Sequence, residues 1–332
     1  MFHFGKLAVD LGTANTVIWK DGEIVLAEPS VVSIKMENRK VVAAGGEAKK
    51  MSGKAPDYIE VVTPLRFGAI ADYGAATSML KWFFREVMGS SWFFGPEVIV
   101  PVASGTTQVE QRAVIDAVSS AGARKVNLID SPLAAAIGAK VSIADSFGNM
   151  VVSLGGGVVE AAIIASGGVV AVKSVREAGG RIDEAIEEYL KKKYSLAVGR
   201  LTVEDIKIKL GSAVKLKKEE ILAVGGREMT GGLPKTLHLS SEEVFEVVRP
   251  ELDRVVGVIK EVLGVTPPEL VADVIDRGIV LTGGMSQMRG LNVFLTRETG
   301  VAVHVALEPE FCVVKGAAMV MENMGMYQKL VR

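Results

Sequence analysis

The sequence predicts a two-lobed α/β protein whose lobes are built on one repeated plan, each opening with a glycine-bearing hairpin. Three observations lead there. "LAVDLGTANTVIW" (7–19) and "VVSLGGGVVEAAI" (151–163) share one pattern of strand, small-residue turn and strand. They align with Asp10 over Ser153 and Gly12 over Gly155, a constant offset of 143 residues. The chain's 332 residues also exceed what one small core needs, so two lobes are expected.

The elements follow in order. After the first hairpin, "EIVLAEPSVVSI" continues as strands. "TTQVEQRAVIDAVSSAG" (106–122) places Val109, Ala113, Ala117 and Ala121 on one stripe, which predicts a helix with an apolar face. The second hairpin is followed by the strand-like "GGVVAVKSV" and by the helical "IDEAIEEYLKKKY", where Ile182, Ala185, Ile186 and Tyr189 share a face. A third glycine turn, "VLTGGMSQMRG" (280–290), follows a strand predicted at 278–282. Residues 150–172 carry a single charge, Glu160, but a glycine triplet and Gly167–Gly168 interrupt them. A spanning helix needs roughly 20 unbroken apolar residues, so this stretch reads as consecutive buried strands.

Composition narrows the function. Apolar residues make up 49% and charged residues 23%, with a net charge of −1, an ordinary globular balance without the basic excess of a nucleic-acid binder. A single cysteine, Cys312, excludes a disulfide framework and a cysteine zinc site, and the dispersed His3, His238 and His304 suggest no metal cluster. "MFHFGKLAVDLG" lacks the apolar run of a secretory signal, so a soluble protein in a reducing cytoplasm is expected.

Backbone amides arrayed around a concave turn favour anions. A tight hairpin alone accounts for one glycine turn. Two in register, plus a third at Gly283, Gly284 and Met285, point instead to one polyphosphate ligand held between them, with the third turn against its base or sugar.

"VDLGTANTVIW", "LAEPSVVSI", "TPLRFGAIADY", "LAAAIGA", "GGREMTGGLPKTL" and "TGGMSQMRGLNVFLTRETGVAVHV" together resemble the MreB family of bacterial actin homologues, from about Leu7 to about Val320. "DLGTANT" and "GREMTGGLPKTL" discriminate far better than a generic glycine motif. The resemblance implies the actin-like fold: two duplicated lobes of four subdomains around a nucleotide cleft. Subdomain IA would take 1–31, 75–140 and 310–332, and IB 32–74. Subdomain IIA would take 141–180 and 245–309, and IIB 181–244. It further implies ATP or ADP with Mg2+, self-assembly into filaments on the inner face of the cytoplasmic membrane, a role in cell shape and cell-wall synthesis, and partners such as MreC and RodZ.

Carried over residue by residue, the resemblance makes Gly12, Thr13, Ala14, Asn15 and Thr16 the first phosphate turn, with Asp10 acting on magnesium through water. Gly155, Gly156, Gly157 and Val158 form the second turn. Glu204, Asp205, Ile206 and Lys207 lie on the adenine-side helix, and Gly283, Gly284, Met285, Ser286 and Gln287 form the third turn. Three positions depart from the pattern. The aspartate and paired threonines of the second turn are Ser153, Val158 and Val159. The acid before the proline of the family's "EEPMAAAIG" is Ser131, with Asp130 beside it as a further catalytic candidate, and the acid of "GGDKMDEA" is Gly180. Phosphoryl transfer to water relies on placed metal charge and an oriented nucleophile. Losing these acids implies a nucleotide-binding subunit with weak or absent hydrolysis.

"MGSSWFFGPEVIV" sets Trp92, Phe93 and Phe94 between small residues and proline, a loop signature. Consecutive exposed aromatics mark a partner or membrane surface, and the resemblance favours membrane insertion, with Phe2 and Phe4 added. Two other readings stay open: a non-polymerising actin-fold nucleotide sensor, and a fully active ATPase. A sugar kinase lacks its substrate insertion here, and a heat-shock chaperone its substrate domain.

Overall fold

A computed structural model describes residues 5–89, 95–176 and 178–332. Two five-stranded mixed sheets organise it. In the first the order is Glu23–Pro29, Asn15–Lys20, Lys6–Leu11, Glu97–Val102, Lys125–Asp130; in the second it is Gly168–Val175, Val159–Ala165, Asn149–Leu154, Ile279–Thr282, Val303–Val305. Each runs as an antiparallel three-strand meander joined through its first strand to two parallel strands.

The duplication holds to the residue. Ala8 pairs with Trp19 and Asp10 with Val17; at the same offset Val151 pairs with Ala162 and Ser153 with Glu160. Each turn closes on the same bond. Gly12 N–H donates to Asn15 O at 3.1 Å, and Gly155 N–H to Val158 O at 2.9 Å.

Near-continuous apolar runs make these strands, because sheets covered by helices on both faces bury both sides of each strand. Leu7, Ala8 and Val9 are fully buried, as are Ala161 to Ile164. The outer face of the first sheet packs on helix Tyr73–Met88 through Met79, Leu80, Phe83 and Phe84. The second sheet packs on Gly179–Tyr194 and Ser241–Val265, through Ile182, Ile186, Val248 and Leu252 among others. Local chemistry starts several helices: Asp72 accepts from Ala75 N–H, and Thr107 with Glu110, and Ser240 with Glu243, form capping boxes.

Between the sheets lies a third core. Ala8, Val17 and Trp19 of one and Val151 and Ile164 of the other enclose helices Ser131–Gly138 and Cys312–Glu322. Those helices cross so closely that a methyl on Gly138 would stand 1.8 Å from Cys312 O, and one on Gly316 1.8 Å from Ala134 O. Alanine and glycine in "SPLAAAIG" and "CVVKGAAMVME" permit that approach. Three small sheets, Val32–Lys35 with Val41–Ala44 and Ile59–Val62, Leu196–Ala197 with Ile221–Glu228 and Pro234–Ser240, and the pair Leu65–Arg66 with Ala69–Ile70, complete the sheets of the described residues.

One sequence expectation needs correction. Helix Gln108–Ser120 forms, but its stripe is buried only toward the C-terminal end: Ala117 and Ala121 are at 0% exposure while Val109 is at 79%. The helix leaves the sheet at its N-terminal end, so one apolar stripe does not mean one buried face.

Candidate functional site

The two hairpin turns face each other across a cavity of about 660 Å³, the size of a small-molecule site. Each is braced from behind. Ser30 O–H donates to Gly12 O at 2.6 Å and shares a 2.9 Å bond with the buried Thr16 hydroxyl, while Ser30 N–H donates to Ala14 O at 2.9 Å. In the second lobe Gly179 and Gly180 N–H donate to Gly155 and Gly156 O at 3.2 and 2.8 Å, fixing that turn to the start of helix Gly179–Tyr194. A methyl on Gly156 would meet Ala14 Cβ at 2.7 Å, and one on Gly157 the Thr13 hydroxyl at 2.2 Å. The glycines are there because the opposing turn leaves no room for a side chain.

Asp10, Gly12, Thr13, Ala14 and Asn15 line this cavity, with Ser153, Gly155, Gly156, Gly157 and Val158 opposite. Ser131, Lys207, Gly283, Gly284, Met285 and Gln287, also expected from the sequence, lie on its wall. Lys207 Nζ is held 2.8 Å from Asp183 and 3.4 Å from Gly179 O, and Gln287 amide donates to Glu310 at 3.0 Å.

Six residues that the sequence assigns to the site are placed elsewhere, each for a geometric reason. Thr16 points to the opposite face of its strand, onto Ser30, because side chains alternate along a strand. On helix Arg200–Leu210 only one stripe faces the cleft, carrying Lys207, Ile208 and Gly211. Ile206 is therefore core at 0% exposure, Asp205 pairs with Lys209 at 2.8 Å, and Glu204 reaches Lys49 at 2.6 Å. Ser286 is buried and donates to Gly283 O at 2.6 Å. Asp130 turns away from the cavity into a two-oxygen contact with Arg332 at 2.7 and 2.9 Å, which leaves Ser131 on the wall and Asp130 off it. Phe2, Phe4, Trp92, Phe93 and Phe94 lie outside the described residues.

Two wall carboxylates have burial as the leading influence on their protonation. Asp10, set into the cavity floor, is pushed up to about 6 by loss of solvation. Glu160 on strand Val159–Ala165 is pushed up to about 7, again mainly by burial, although Ser104 N–H donates to its Oε1 at 2.6 Å. Glu160 was legible only as a lone charge in an apolar run; its partners come from distant segments. Ser30 was missed altogether, since nothing local in "AEPSVV" announces a brace.

The match to the family model described as MreB/Mbl protein runs over residues 5–329. The chain belongs to the MreB/Mbl family. It is 41% identical over 318 residues to the cell shape-determining protein Mbl of Bacillus cereus, covering 96% of each chain. It is also 41% identical over 327 residues to the cell shape-determining protein MreB of Escherichia coli strain K12, covering 97% of this chain and 94% of that one. Among solved structures, MreB5 of Spiroplasma citri bound to ADP superposes with a TM-score of 0.91 at 31% identity over 98% of both chains. The same protein bound to AMPPNP gives 0.92 over 99% of both. A MamK double helical filament, at 20% identity, shares the fold with a TM-score of 0.78. The fold is actin-like.

Proposed function

We propose that this chain is an actin-like cytoskeletal subunit that holds ATP or ADP between its two glycine turns and assembles into filaments that serve cell shape. One observation carries the reading: in a chain that matches the MreB/Mbl family over residues 5–329, two duplicated turns in the same register line one cavity. The same duplication supports the four-subdomain division. Spiroplasma citri MreB5, structurally close over nearly the whole chain, holds ADP and AMPPNP. The turn amides and Asn15 are the groups that would hold the phosphates here, with Lys207 and the Gly283–Gln287 turn toward base or ribose.

Magnesium fits this donor set. No group of three or more candidate metal ligands exists among the described residues, but Asp10 offers a half-buried carboxylate on the cavity wall whose proton affinity is raised by loss of solvation. Magnesium takes few protein ligands and keeps waters and phosphate oxygens, so Asp10 through water suffices. The ion would supply charge stabilisation at the phosphates.

Hydrolysis is slow in this reading because Ser131 and Ser153, both on the cavity wall, stand where the family's acids are expected. Assembly is head-to-tail, a heterologous contact that propagates when its rotation does not close. MreC and RodZ enter as partners by family membership.

Membrane attachment rests on Trp92, Phe93 and Phe94. No described helix is long and apolar enough to cross a membrane. Burying one large apolar side chain fully contributes roughly 1.5–3 kcal/mol, and partial insertion less. A lone subunit is thus a weak lipid binder, whereas a filament carrying many copies of these aromatics binds well through raised effective concentration. Liposome co-sedimentation is expected to depend on polymerisation and only mildly on salt, since apolar insertion is unscreened. Replacing all three aromatics by serine is expected to abolish pelleting while filaments persist in negative stain. Unfolding of the triple variant would show that the aromatics are core.

A further inference from the structure

Helix Arg200–Leu210 lines the cavity through Lys207 and Ile208, and Ile208 is 68% exposed, so the cavity meets solvent along this helix. Glu204 precedes these two by three and four residues and shares their face, one turn earlier on the helix. Its helical neighbour does not hold it, because Lys207 Nζ is committed to Asp183 and to Gly179 O. Glu204 Oε2 stands instead 2.6 Å from Nζ of Lys49, a residue of the other lobe. Lys49 lies on the short helix Gly46–Lys50, which is anchored by the buried Ala48 and by Gly46 N–H, donating to Glu28 at 2.6 Å. The two charged side chains are 31% and 34% exposed, and neither residue lines the cavity.

We propose that Lys49 and Glu204 form a clasp across the mouth of the nucleotide cleft, and that its opening sets how fast a nucleoside di- or triphosphate enters and leaves. The proposal rests on the nucleotide reading above. The pair joins segment 32–74 to segment 181–244. Among the described residues, the core where the two lobes meet, around helices Ser131–Gly138 and Cys312–Glu322, draws on neither segment. Glu110 with Arg176, and Ser104 with Glu160, each at 2.6 Å, tie the lobes at the cavity wall itself. A contact between segments outside the shared core resists the parting of the lobes with a longer lever than contacts beside it.

A half-exposed ion pair is a weak bond, which suits a gate. Such pairs shift an equilibrium by only about 2- to 5-fold, because water screens the charges and two long side chains lose freedom. The clasp therefore slows exchange without sealing the cleft. It is made of protein groups alone, so it favours the closed arrangement with or without nucleotide. A ligand shifts an equilibrium only by its differential affinity for the two states. While the closed arrangement predominates in both, weakening the clasp speeds entry and release together and leaves affinity nearly unchanged. Loss of a side chain that touched the nucleotide would instead speed release and weaken affinity by the same factor.

Carbodiimide cross-linking read by mass spectrometry tests the contact without nucleotide. Stopped-flow mixing with a fluorescent ATP analogue and Mg2+ reads entry and release, on protein cleared of polymer by centrifugation. A direct amide link between Lys49 and Glu204 is expected. Lys49→Ala is expected to raise both rates by about 2- to 5-fold, with the dissociation constant within about 2-fold of wild type. Lys49→Glu adds like-charge repulsion and is expected to raise both by about 5- to 20-fold. Reversing the pair, with Lys49→Glu and Glu204→Lys together, is expected to return both rates to within about 3-fold of wild type. Unchanged rates in Lys49→Glu, no recovery in the reversed pair, or a loss of affinity in Lys49→Ala equal to its gain in release would overturn the clasp. So would absence of the cross-link. Each of those results leaves nucleotide binding standing, whereas a wild type that binds no nucleotide would overturn the reading beneath the proposal as well.

Discussion

Combining Ser131→Glu with Ser153→Asp is expected to raise phosphate release by about 10²-fold or more, because placed acid–base and electrostatic groups each typically contribute 10²–10⁴ in rate. Ser153 sits at the duplicate position of Asp10, on the facing wall of the same cavity. An aspartate there adds a second carboxylate on the metal side. Glutamate at 131 brings an acid directly to a wall that now carries a hydroxyl. The gain from Ser131→Glu alone should be smaller than that of the pair. Steady-state phosphate release checks this. An unchanged rate in the double variant, or a wild-type rate already equal to that of a relative with both acids, would contradict it.

The second large effect is structural. Gly316→Ala is expected to lower the melting temperature by about 4 °C or more, or to yield insoluble protein. The added methyl would stand 1.8 Å from Ala134 O, so the two central helices must separate. They fill the core shared by both sheets. Overpacking of this kind costs about 3 kcal/mol at the upper end of its usual range, and 1 kcal/mol corresponds to roughly 1.4 °C in a chain of 332 residues. Gly257, inside helix Ser241–Val265, is the control: a methyl there meets nothing within 4 Å. Gly257→Ala is expected to leave the melting temperature unchanged or raise it slightly. A Gly316→Ala melt within 2 °C of wild type would refute the close crossing.

What the sequence disclosed was whatever depends on local pattern. Valine and isoleucine runs around small residues specified both hairpins, and one offset carried the duplication down to the cross-strand pairs. The cavity wall was legible where a turn supplies backbone, as at 12–15 and 155–157. Orientation was less legible. Helix Arg200–Leu210 was placed, but Lys207 faces the cleft while Glu204 turns to Lys49 and Ile206 to the core, because neighbouring helical residues point some 100° apart. Asp130 and Ser131 divide similarly at the junction of strand and helix. Hidden altogether were contacts between distant segments: Ser30 behind the first turn, Ser104 on Glu160, and the crossing of Gly138 with Gly316. Each needs the fold before it has a partner.

The central claim is that this member of the MreB/Mbl family builds filaments, and sedimentation paired with negative-stain microscopy tests it most directly. Purified protein would be compared with ATP, with ADP and without nucleotide, across a concentration series. If slow hydrolysis leaves assembly uncoupled from the terminal phosphate, pelletable filaments are expected under all three conditions, disassembling slowly on dilution. A protein that stays monomeric at high concentration in all three would contradict the account and favour a nucleotide sensor that does not polymerise.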